Sequence, residues 1–332
     1  MAAAVTPISA TVDFDKDGIQ HGHLVLPYSH DESAWGSIMI PVCVVKNGSG
    51  PTVLMTGANH GDEYEGPVAL FDLARTVDPN QVSGRIIIVP AMNYPAFKVG
   101  RRTSPLDGGN MNRSFPGTAD GGPTAKIAHY FMSALLPLAD VVVDLHSGGR
   151  TLDFLPFAAA HILPNQAQEK ACVDAMMAFR APYAVMLLEL DAVSTYDTAA
   201  ESLGKTFVTT ELRGGGTSTA ASVEIAKRGL INLLRHHDVL PGEVEGPESQ
   251  LLDMPDGRCY TRADASGLVE WMKNLGDEVK EGDVLARVHD ITRTGTDPVD
   301  HFAQVDGLFL GRHFQGCVQF GDTLGVIGVI VD

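Results

Sequence analysis

An apolar run that gives way to a short polar cluster and then to a helix constrains this 332-residue chain more than any other feature. Residues 51–57 have the pattern of a buried strand, residues 66–67 (Gly-Pro) that of a helix start, and residues 70–77 that of an apolar helix face. The cluster between them contains His60 and Glu63, which are residue types that bind zinc. Ligands of open α/β sheets bind where strands end, so the cluster is a candidate metal site. A helix N-terminus carrying acidic residues is the alternative, and these two residues alone favour it.

A second predicted strand ends in a histidine. Residues 139–146 are an apolar run typical of a buried strand, and His146 stands at its carboxyl end. Parallel strands would bring His146 to the same edge as the first cluster. A catalytic zinc uses three protein ligands and keeps one open position, so His60, Glu63 and His146 together favour a zinc site. Asp144 either orients a ligand or pairs within the sheet, and we expect the second.

A third strand-like run ends in a carboxylate. Glu211 closes this run and precedes the glycines at residues 214–216. Beside a metal, such a carboxylate can accept a proton from water, whereas the alternative is a solvated acid at a strand end. The glycines do not form a phosphate loop, since no Gly-Lys-Ser/Thr follows them.

A long stretch with little periodicity, residues 93–122, contains three arginines in an otherwise acidic protein: Arg101, Arg102 and Arg113. Long irregular loops inside compact domains are usually functional or disordered. A guanidinium group suits a substrate carboxylate or a polarised carbonyl. Surface arginines paired with nearby acids are the alternative, and the residues alone leave the two interpretations even.

Charge and cysteine content exclude several classes of protein. The formal net charge of −17 argues against a nucleic-acid partner, because such partners are bound largely through Lys and Arg. Four widely spaced cysteines without a Cys-x-x-Cys pair predict free, mostly buried thiols. The first 17 residues lack a basic leader pattern, and no apolar run is long enough to span a bilayer. We therefore expect a cytoplasmic protein without a membrane partner.

The alternation of predicted strands and helices indicates an α/β fold up to a segment rich in Pro, Gly and Glu at residues 241–250. Beyond it, short β runs with Gly-Asp turns predict an all-β region. We therefore expect a catalytic α/β domain at residues 1–245 and a C-terminal β domain at residues 246–332. The β domain is similar to the barrel-sandwich fold of biotinyl and lipoyl carriers but lacks their lysine hairpin, so we expect a lid or an assembly role.

Four motifs in order along the chain resemble those of the succinylglutamate desuccinylase and aspartoacylase family, within the zinc carboxypeptidase superfamily. They are residues 59–63 (NHGDE), 111–117 (MNRSFPG), 144–149 (DLHSGG) and 210–212 (TEL). The resemblance covers essentially the whole length. It implies a mixed, largely parallel sheet flanked by helices, zinc-dependent hydrolysis of an N-acylated amino acid, and a homo-oligomer such as a dimer. Three further stretches are similar to family members that remove an acetyl group from an N-acetylated diamino acid: residues 31–36, 90–97 and 155–161.

The resemblance also implies a role for each candidate residue. One Zn2+ ion per chain would be held by the trio His60, Glu63 and His146, and Glu211 would act as general base and later as general acid. Arg102 would stabilise the oxyanion, while Asn112 and Arg113 would bind the α-carboxylate. Residues 104–110 lengthen this loop relative to aspartoacylases, which leaves Arg101 as an alternative to Arg102.

The identity of the substrate stays open at this point. A free side-chain amine would need an acidic partner, and the sequence does not choose among Asp153, Glu189, Asp191 and Glu201. The alternatives are another N-acyl-amino-acid deacylase, a carboxypeptidase acting on short peptides, and a non-catalytic binding protein built on the C-terminal β region.

Overall fold

The computed structural model describes residues 6–331. Strands alternate with helices up to His236, and after it the described chain contains strands and a one-turn helix at Gly257–Cys259. The strands of the alternating part are β1 (Ser9–Ala10), β2 (Gly18–Pro27), β3 (Ser37–Asn47), β4 (Thr52–Gly57), β5 (Gly84–Val89), β6 (Val141–His146), β7 (Leu152–Phe154), β8 (Phe157–Ala160), β9 (Tyr183–Met186) and β10 (Thr206–Glu211). Its α-helices are α1 (Glu65–Thr76), α2 (Tyr94–Val99), α3 (Pro123–Tyr130), α4 (Gln166–Phe179), α5 (Tyr196–Ser202) and α6 (Ala220–His236). The later strands are β11 (Gln250–Asp253), β12 (Tyr260–Arg262), β13 (Gly267–Trp271), β14 (Glu278–Val279), β15 (Val284–His289), β16 (Val299–Phe302), β17 (Gly307–His313), β18 (Cys317–Val318) and β19 (Thr323–Ile330).

The centre of the main sheet is parallel. Its strands follow the order β5-β4-β6-β10, and each neighbouring pair runs in the same direction. Strands β4, β5 and β6 are largely apolar, and β10 is threonine-rich; all four are largely buried, as expected where helices cover both faces of a parallel sheet. Antiparallel strands flank this centre on one side through β3 and on the other through β8, so the sheet as a whole is mixed.

Helices cover the two faces with separate apolar clusters. On one face α1, α4 and α6 pack through residues such as Leu70, Met176 and Leu230. On the other face α3 and α5 pack through residues such as Ile127 and Tyr196. Two packed faces fix the central strands, so the positions at which β4, β6 and β10 end are fixed as well.

The main sheet continues into the C-terminal region. Strand β11 pairs with β9 in parallel and with β19 in antiparallel orientation, and β17 pairs with β7. A separate antiparallel sheet contains β16, β15, β13 and β18. The structure therefore confirms a mixed α/β fold with an antiparallel C-terminal region, whereas the boundary between residues 245 and 246 and the barrel-sandwich form stay predictions.

Short elements are where the structure differs from the sequence-based expectation. The predicted loop at 93–122 contains α2 and a one-turn helix at Met111–Arg113, both too short for a detectable periodicity. The strand expected over 183–190 ends at Met186, because its partner β8 ends opposite it at Ala160. The helix α5 was not predicted.

Two expectations from the sequence, on membrane spans and on cysteines, can be compared with the structure. Within residues 6–331, no helix has both the length and the apolar character that crossing a membrane requires. All four cysteines are free thiols, and only Cys317 is exposed, as the wide spacing predicted.

Candidate active site

The candidate residues lie at one edge of the sheet, where β4, β6 and β10 end side by side. The register pairs Gly57 with Leu145 and Glu211 with His146. The turn that follows β4 carries His60 to the same edge. Parallel packing of three buried strands thus brings together residues that are about 150 positions apart in the chain.

The turn after β4 is packed tightly. Ala58 has a left-handed backbone with a φ of 50°, and a Cβ at Gly61 would lie 2.1 Å from the carbonyl carbon of Ala96. Only glycine therefore allows the turn to approach α2 so closely. This packing buries the side chains of His60 and Glu63, so their orientation is fixed by the fold.

Glu63 bridges the two histidines of the candidate metal trio. Its Oε1 lies 2.8 Å from His60 Nδ1, and its Oε2 lies 3.0 Å from His146 Nδ1. Burial alone would raise the pKa of Glu63, but the charges of both histidines and their hydrogen bonds hold this pKa well below its ordinary value. Two imidazole nitrogens and one carboxylate oxygen, all within 4.8 Å of one another, are a donor set that catalytic zinc sites use. The trio therefore fits a metal ion.

Asp144 supports the trio from behind, so the expectation that it pairs only within the sheet was wrong. Its Oδ2 lies 2.7 Å from His146 Nε2, because residues two apart in a strand share a face. Asp144 also accepts hydrogen bonds from Thr56 Oγ1 at 2.7 Å and from Asn59 Nδ2 at 2.8 Å. Burial alone would lower the pKa of His146, but Asp144 and Glu63 raise it well above the ordinary value. The contact directs His146 Nδ1 at Glu63, as carboxylates commonly do for metal-binding histidines.

Glu211 lines the same pocket as the trio. Its Oε2 is buried and has no hydrogen-bond partner within the described part of the chain. Burial raises the pKa of Glu211 to about 8, and the negative charge of Glu63 adds to this effect. A carboxyl group with these properties beside a candidate metal site can take up a proton and release it again.

Of the two neighbouring arginines, Arg102 lies at the pocket and Arg101 does not. Arg102 lines the pocket with its Nη1 3.9 Å from Glu63 Oε1, whereas Arg101 is exposed outside it. The lengthened part of the loop closes on itself, since the N–H of Ser104 donates to the carbonyl of Gly109 at 2.9 Å. The extra residues therefore leave Arg102 at the pocket.

Asn112 and Arg113 line the pocket as well. Asn112 Oδ1 accepts hydrogen bonds from the Tyr196 backbone N–H at 2.9 Å and from Asn59 Nδ2 at 3.3 Å, which leaves its own Nδ2 for a ligand. Arg113 Nε lies 3.2 Å from Asp191 Oδ2 in a pair that is largely exposed. Exposed ion pairs are weak, so a ligand carboxylate can replace Asp191.

Two further carboxylates line this pocket, and the sequence analysis did not place them there. Glu189 was one of four eligible acids, and Asp197 was not considered. Asp197 lies in the first turn of α5, whose N-cap is Thr195. A threonine cap is a helix-start signal. Helix α5 is only seven residues long, however, so the sequence has no apolar periodicity that would show which of its side chains face the pocket.

Comparison with known proteins gives consistent matches along the chain. The family described as "Succinylglutamate desuccinylase/Aspartoacylase catalytic domain" matches residues 49–237, which contain all seven candidate residues. The N-alpha-acetyl-L-2,4-diaminobutyric acid deacetylase of Halomonas elongata is 55% identical over 329 residues, covering 98% of this chain and 96% of that protein. The product-bound structure of the ectoine utilization protein EutE (DoeB) from Ruegeria pomeroyi has a TM-score of 0.96 and 57% identity, covering 98% of this chain and 99% of that chain. The structure of a succinylglutamatedesuccinylase/aspartoacylase from Rhodobacter sphaeroides has a TM-score of 0.93 and 37% identity, and the match covers 98% of this chain and 100% of that chain.

Proposed function

The chain belongs to the succinylglutamate desuccinylase/aspartoacylase family, and we propose that it is a zinc-dependent amidohydrolase acting on Nα-acetyl-L-2,4-diaminobutyrate. Its products would be L-2,4-diaminobutyrate and acetate, formed during the degradation of ectoine and hydroxyectoine. The observation that carries this proposal is the grouping of His60, Glu63, His146 and Glu211 in one pocket. The Halomonas elongata relative, whose name states this substrate, supports the choice of acyl group and amino acid.

The proposed zinc ion would be held by His60, Glu63 and His146. The donor types, their burial and the contact between Asp144 and His146 support this assignment. When bound, zinc supplies a Lewis acid that lowers the pKa of water and polarises an amide carbonyl.

In the proposed reaction Glu211 accepts a proton from the attacking water and later donates it to the departing nitrogen. The water oxygen bonds to the acetyl carbonyl carbon, and the bond between that carbon and the nitrogen breaks, giving acetate and a free amine. The raised pKa of Glu211 suits both proton transfers. Such a positioned acid–base group contributes on the order of 10² to 10⁴ in rate. Arg102 donates to the carbonyl oxygen as negative charge develops there.

Substrate binding is assigned to Asn112 and Arg113, which would hold the α-carboxylate through the free amide group of one and the guanidinium group of the other. The pocket encloses about 150 Å³, which supports a small acylated amino acid over a peptide in an extended groove. The carboxypeptidase alternative is therefore less favoured.

Acetate release tests the proposal directly. Purified protein should hydrolyse Nα-acetyl-L-2,4-diaminobutyrate with a higher kcat/KM than N-acetyl-L-aspartate, N-succinyl-L-glutamate or a dipeptide. A preference for one of these three would contradict the substrate assignment and support the corresponding alternative. Absence of hydrolysis with all four would contradict an enzymatic function and favour a binding protein.

Three further proposals complete this assignment. We propose that the protein acts in the cytoplasm, that it forms a homo-oligomer such as a dimer, and that residues 246–332 form a barrel-sandwich-like domain. The described contacts support a structural role for that domain, since Arg312 of β17 lies 3.4 Å from Asp153 of β7. The mass of the protein in solution would test the oligomeric state.

A further inference from the structure

A substrate with a free γ-amine carries a positive charge that must be neutralised when it is buried. Two of the four eligible acids already have cationic partners. Asp153 lies 3.2 Å from Arg213 and 3.4 Å from Arg312. Asp191 pairs with Arg113, and its side chain is 63% exposed. Neither of these two carboxylates offers a buried, unpaired negative charge.

The other two eligible acids differ in whether they reach the pocket that contains the metal trio. Glu201 Oε1 lies 2.8 Å from His161 Nδ1, and Glu201 lines the neighbouring cavity instead of the pocket that contains the metal trio. Glu189 lines both the neighbouring cavity and the pocket of the trio, and its Oε2 is buried without a hydrogen-bond partner among residues 6–331. Asp197 lines the same pocket and is only 5% exposed. Glu189 and Asp197 are therefore the carboxylates available to a ligand there.

The charges around Glu189 and Asp197 do not balance. Both carboxylates have an oxygen within 4.8 Å of a His161 ring nitrogen, and Glu201 contacts the same ring. Three carboxylates thus surround one imidazole, and even a protonated His161 leaves negative charge in excess. Burial raises the pKa of Glu189 to about 7, and the negative charge of Asp197 adds to this effect. The positive charges of His161 and Arg113 offset this rise in the pKa of Glu189 only in part. A bound cation would therefore favour the ionised carboxylates.

Both carboxylates are held in place by the fold. The segment that leads to Glu189 is fixed by a hydrogen bond of 2.6 Å from the Tyr260 hydroxyl to the carbonyl of Leu188. Asp197 accepts hydrogen bonds from the Thr195 hydroxyl and from the Thr198 backbone N–H. Fixed donors and acceptors are what a specificity site requires, because a ligand then does not have to order them.

We propose that Glu189 and Asp197 bind the γ-ammonium group of the substrate and determine the preference for a cationic side chain. This inference rests on the proposed deacetylase function. In this arrangement Glu189 and Asp197 would bind the ammonium group, while Asn112 and Arg113 would hold the α-carboxylate in the same pocket. The arrangement favours a diamino acid over a neutral side chain and disfavours the anionic side chains of aspartate and glutamate.

The test compares two substrates that differ only in the amine. Nα-acetyl-L-2-aminobutyrate has the carbon skeleton of Nα-acetyl-L-2,4-diaminobutyrate without the γ-amine. Wild-type protein should prefer the diamino substrate, and Glu189→Gln should lower the ratio of the two kcat/KM values by about 10- to 100-fold, the usual effect of a hydrogen bond to a charged group. Glu270→Gln is the matched control. Glu270 also pairs with a histidine, His289 Nε2, at 2.8 Å, but in the separate antiparallel sheet and outside this pocket, so the ratio should stay near the wild-type value.

Several outcomes would overturn the proposal. A wild-type ratio near one would show that the γ-amine is not recognised, although deacetylation itself would stand. A ratio unchanged in Glu189→Gln, or lowered equally in Glu270→Gln, would remove the role of Glu189. If Glu189→Gln does not fold, the same comparison is made with Asp197→Asn, and an unchanged ratio there would overturn the proposal. Two zinc ions per chain in the wild type and one in Glu189→Gln would assign these carboxylates to a metal instead. No hydrolysis of either substrate would overturn the proposed function, and this inference with it.

Discussion

Replacing Asp144 by asparagine should weaken metal binding while leaving the fold intact. The asparagine oxygen can take the place of Asp144 Oδ2 and accept the hydrogen bonds from His146 and Asn59. The asparagine amide group then takes the place of Oδ1 and donates a hydrogen bond to Thr56 Oγ1. The geometry then survives, and only the negative charge behind His146 is lost. Alanine would remove the hydrogen bonds as well, so Asp144→Ala should have the larger effect.

The expected magnitude follows from these contacts. Carboxylates that support a metal-binding histidine typically contribute 10- to 100-fold to affinity, or about 1.4 to 2.7 kcal/mol. Asp144→Asn should lower the zinc affinity about tenfold, and Asp144→Ala should lower it about 100-fold. Competition with a chromophoric zinc chelator measures both dissociation constants.

Asp140→Asn is the matched control for this experiment. Asp140 precedes the same strand, β6, and accepts a hydrogen bond of 2.8 Å from the Thr52 backbone N–H, away from the candidate metal site. Its substitution should leave the zinc affinity unchanged. Wild-type zinc affinity in both Asp144 variants would refute the role assigned to this side chain.

Three further predictions concern individual side chains. Glu211→Gln should retain zinc but lower kcat by about 10² to 10⁴; a metal-loaded variant with wild-type kcat would contradict the assignment of the base. Arg113→Gln should raise KM for the acetylated substrate with little change in kcat, as steady-state kinetics would show, and an unchanged KM would exclude Arg113 from carboxylate binding. Burial alone would lower the pKa of His161, but the hydrogen bond to Glu201 and the surrounding carboxylates raise it to about 9. This pKa exceeds the unfolded value of about 6.5, so protonated His161 stabilises the folded state by about 3 kcal/mol. The stabilisation is fully present below about pH 6.5 and is lost as the pH rises through about 9. Denaturant unfolding of wild type and His161→Gln should show the stability difference shrinking across this range, and a constant difference would contradict the prediction.

The features that the sequence predicted best are the long buried strands and the residues at their ends. Strands β4 and β6 are largely apolar runs, and β10 consists of β-branched and aromatic residues before Glu211, so local pattern predicts all three strands. Their alternation with helices predicts that they pack in parallel. Once these strands lie side by side, His60, His146 and Glu211 must share one edge. The candidate metal trio could therefore be predicted from the strand ends and from the short turn that follows β4.

The features that the sequence did not reveal depend on the paths of short segments. Glu189 and Asp197 reach the pocket only because the chain turns after Met186 and enters the short helix α5, and no periodicity encodes this path. The contact of Asp144 was also missed, although the Asp-x-His spacing places both side chains on one strand face. That spacing shows that contact is feasible, but whether Asp144 turns to the histidine or to the sheet depends on tertiary packing by Thr56 and Asn59.

Removing and restoring the metal is the most direct test of the central claim. Acetate release from Nα-acetyl-L-2,4-diaminobutyrate should be measured with protein as purified, after metal removal by a chelator, and after stepwise addition of zinc. The account predicts that the metal-free protein stays folded but is inactive, and that activity returns in proportion to bound zinc until each chain holds one ion. Full activity in metal-free protein, or no acetate release at full zinc occupancy, would contradict it.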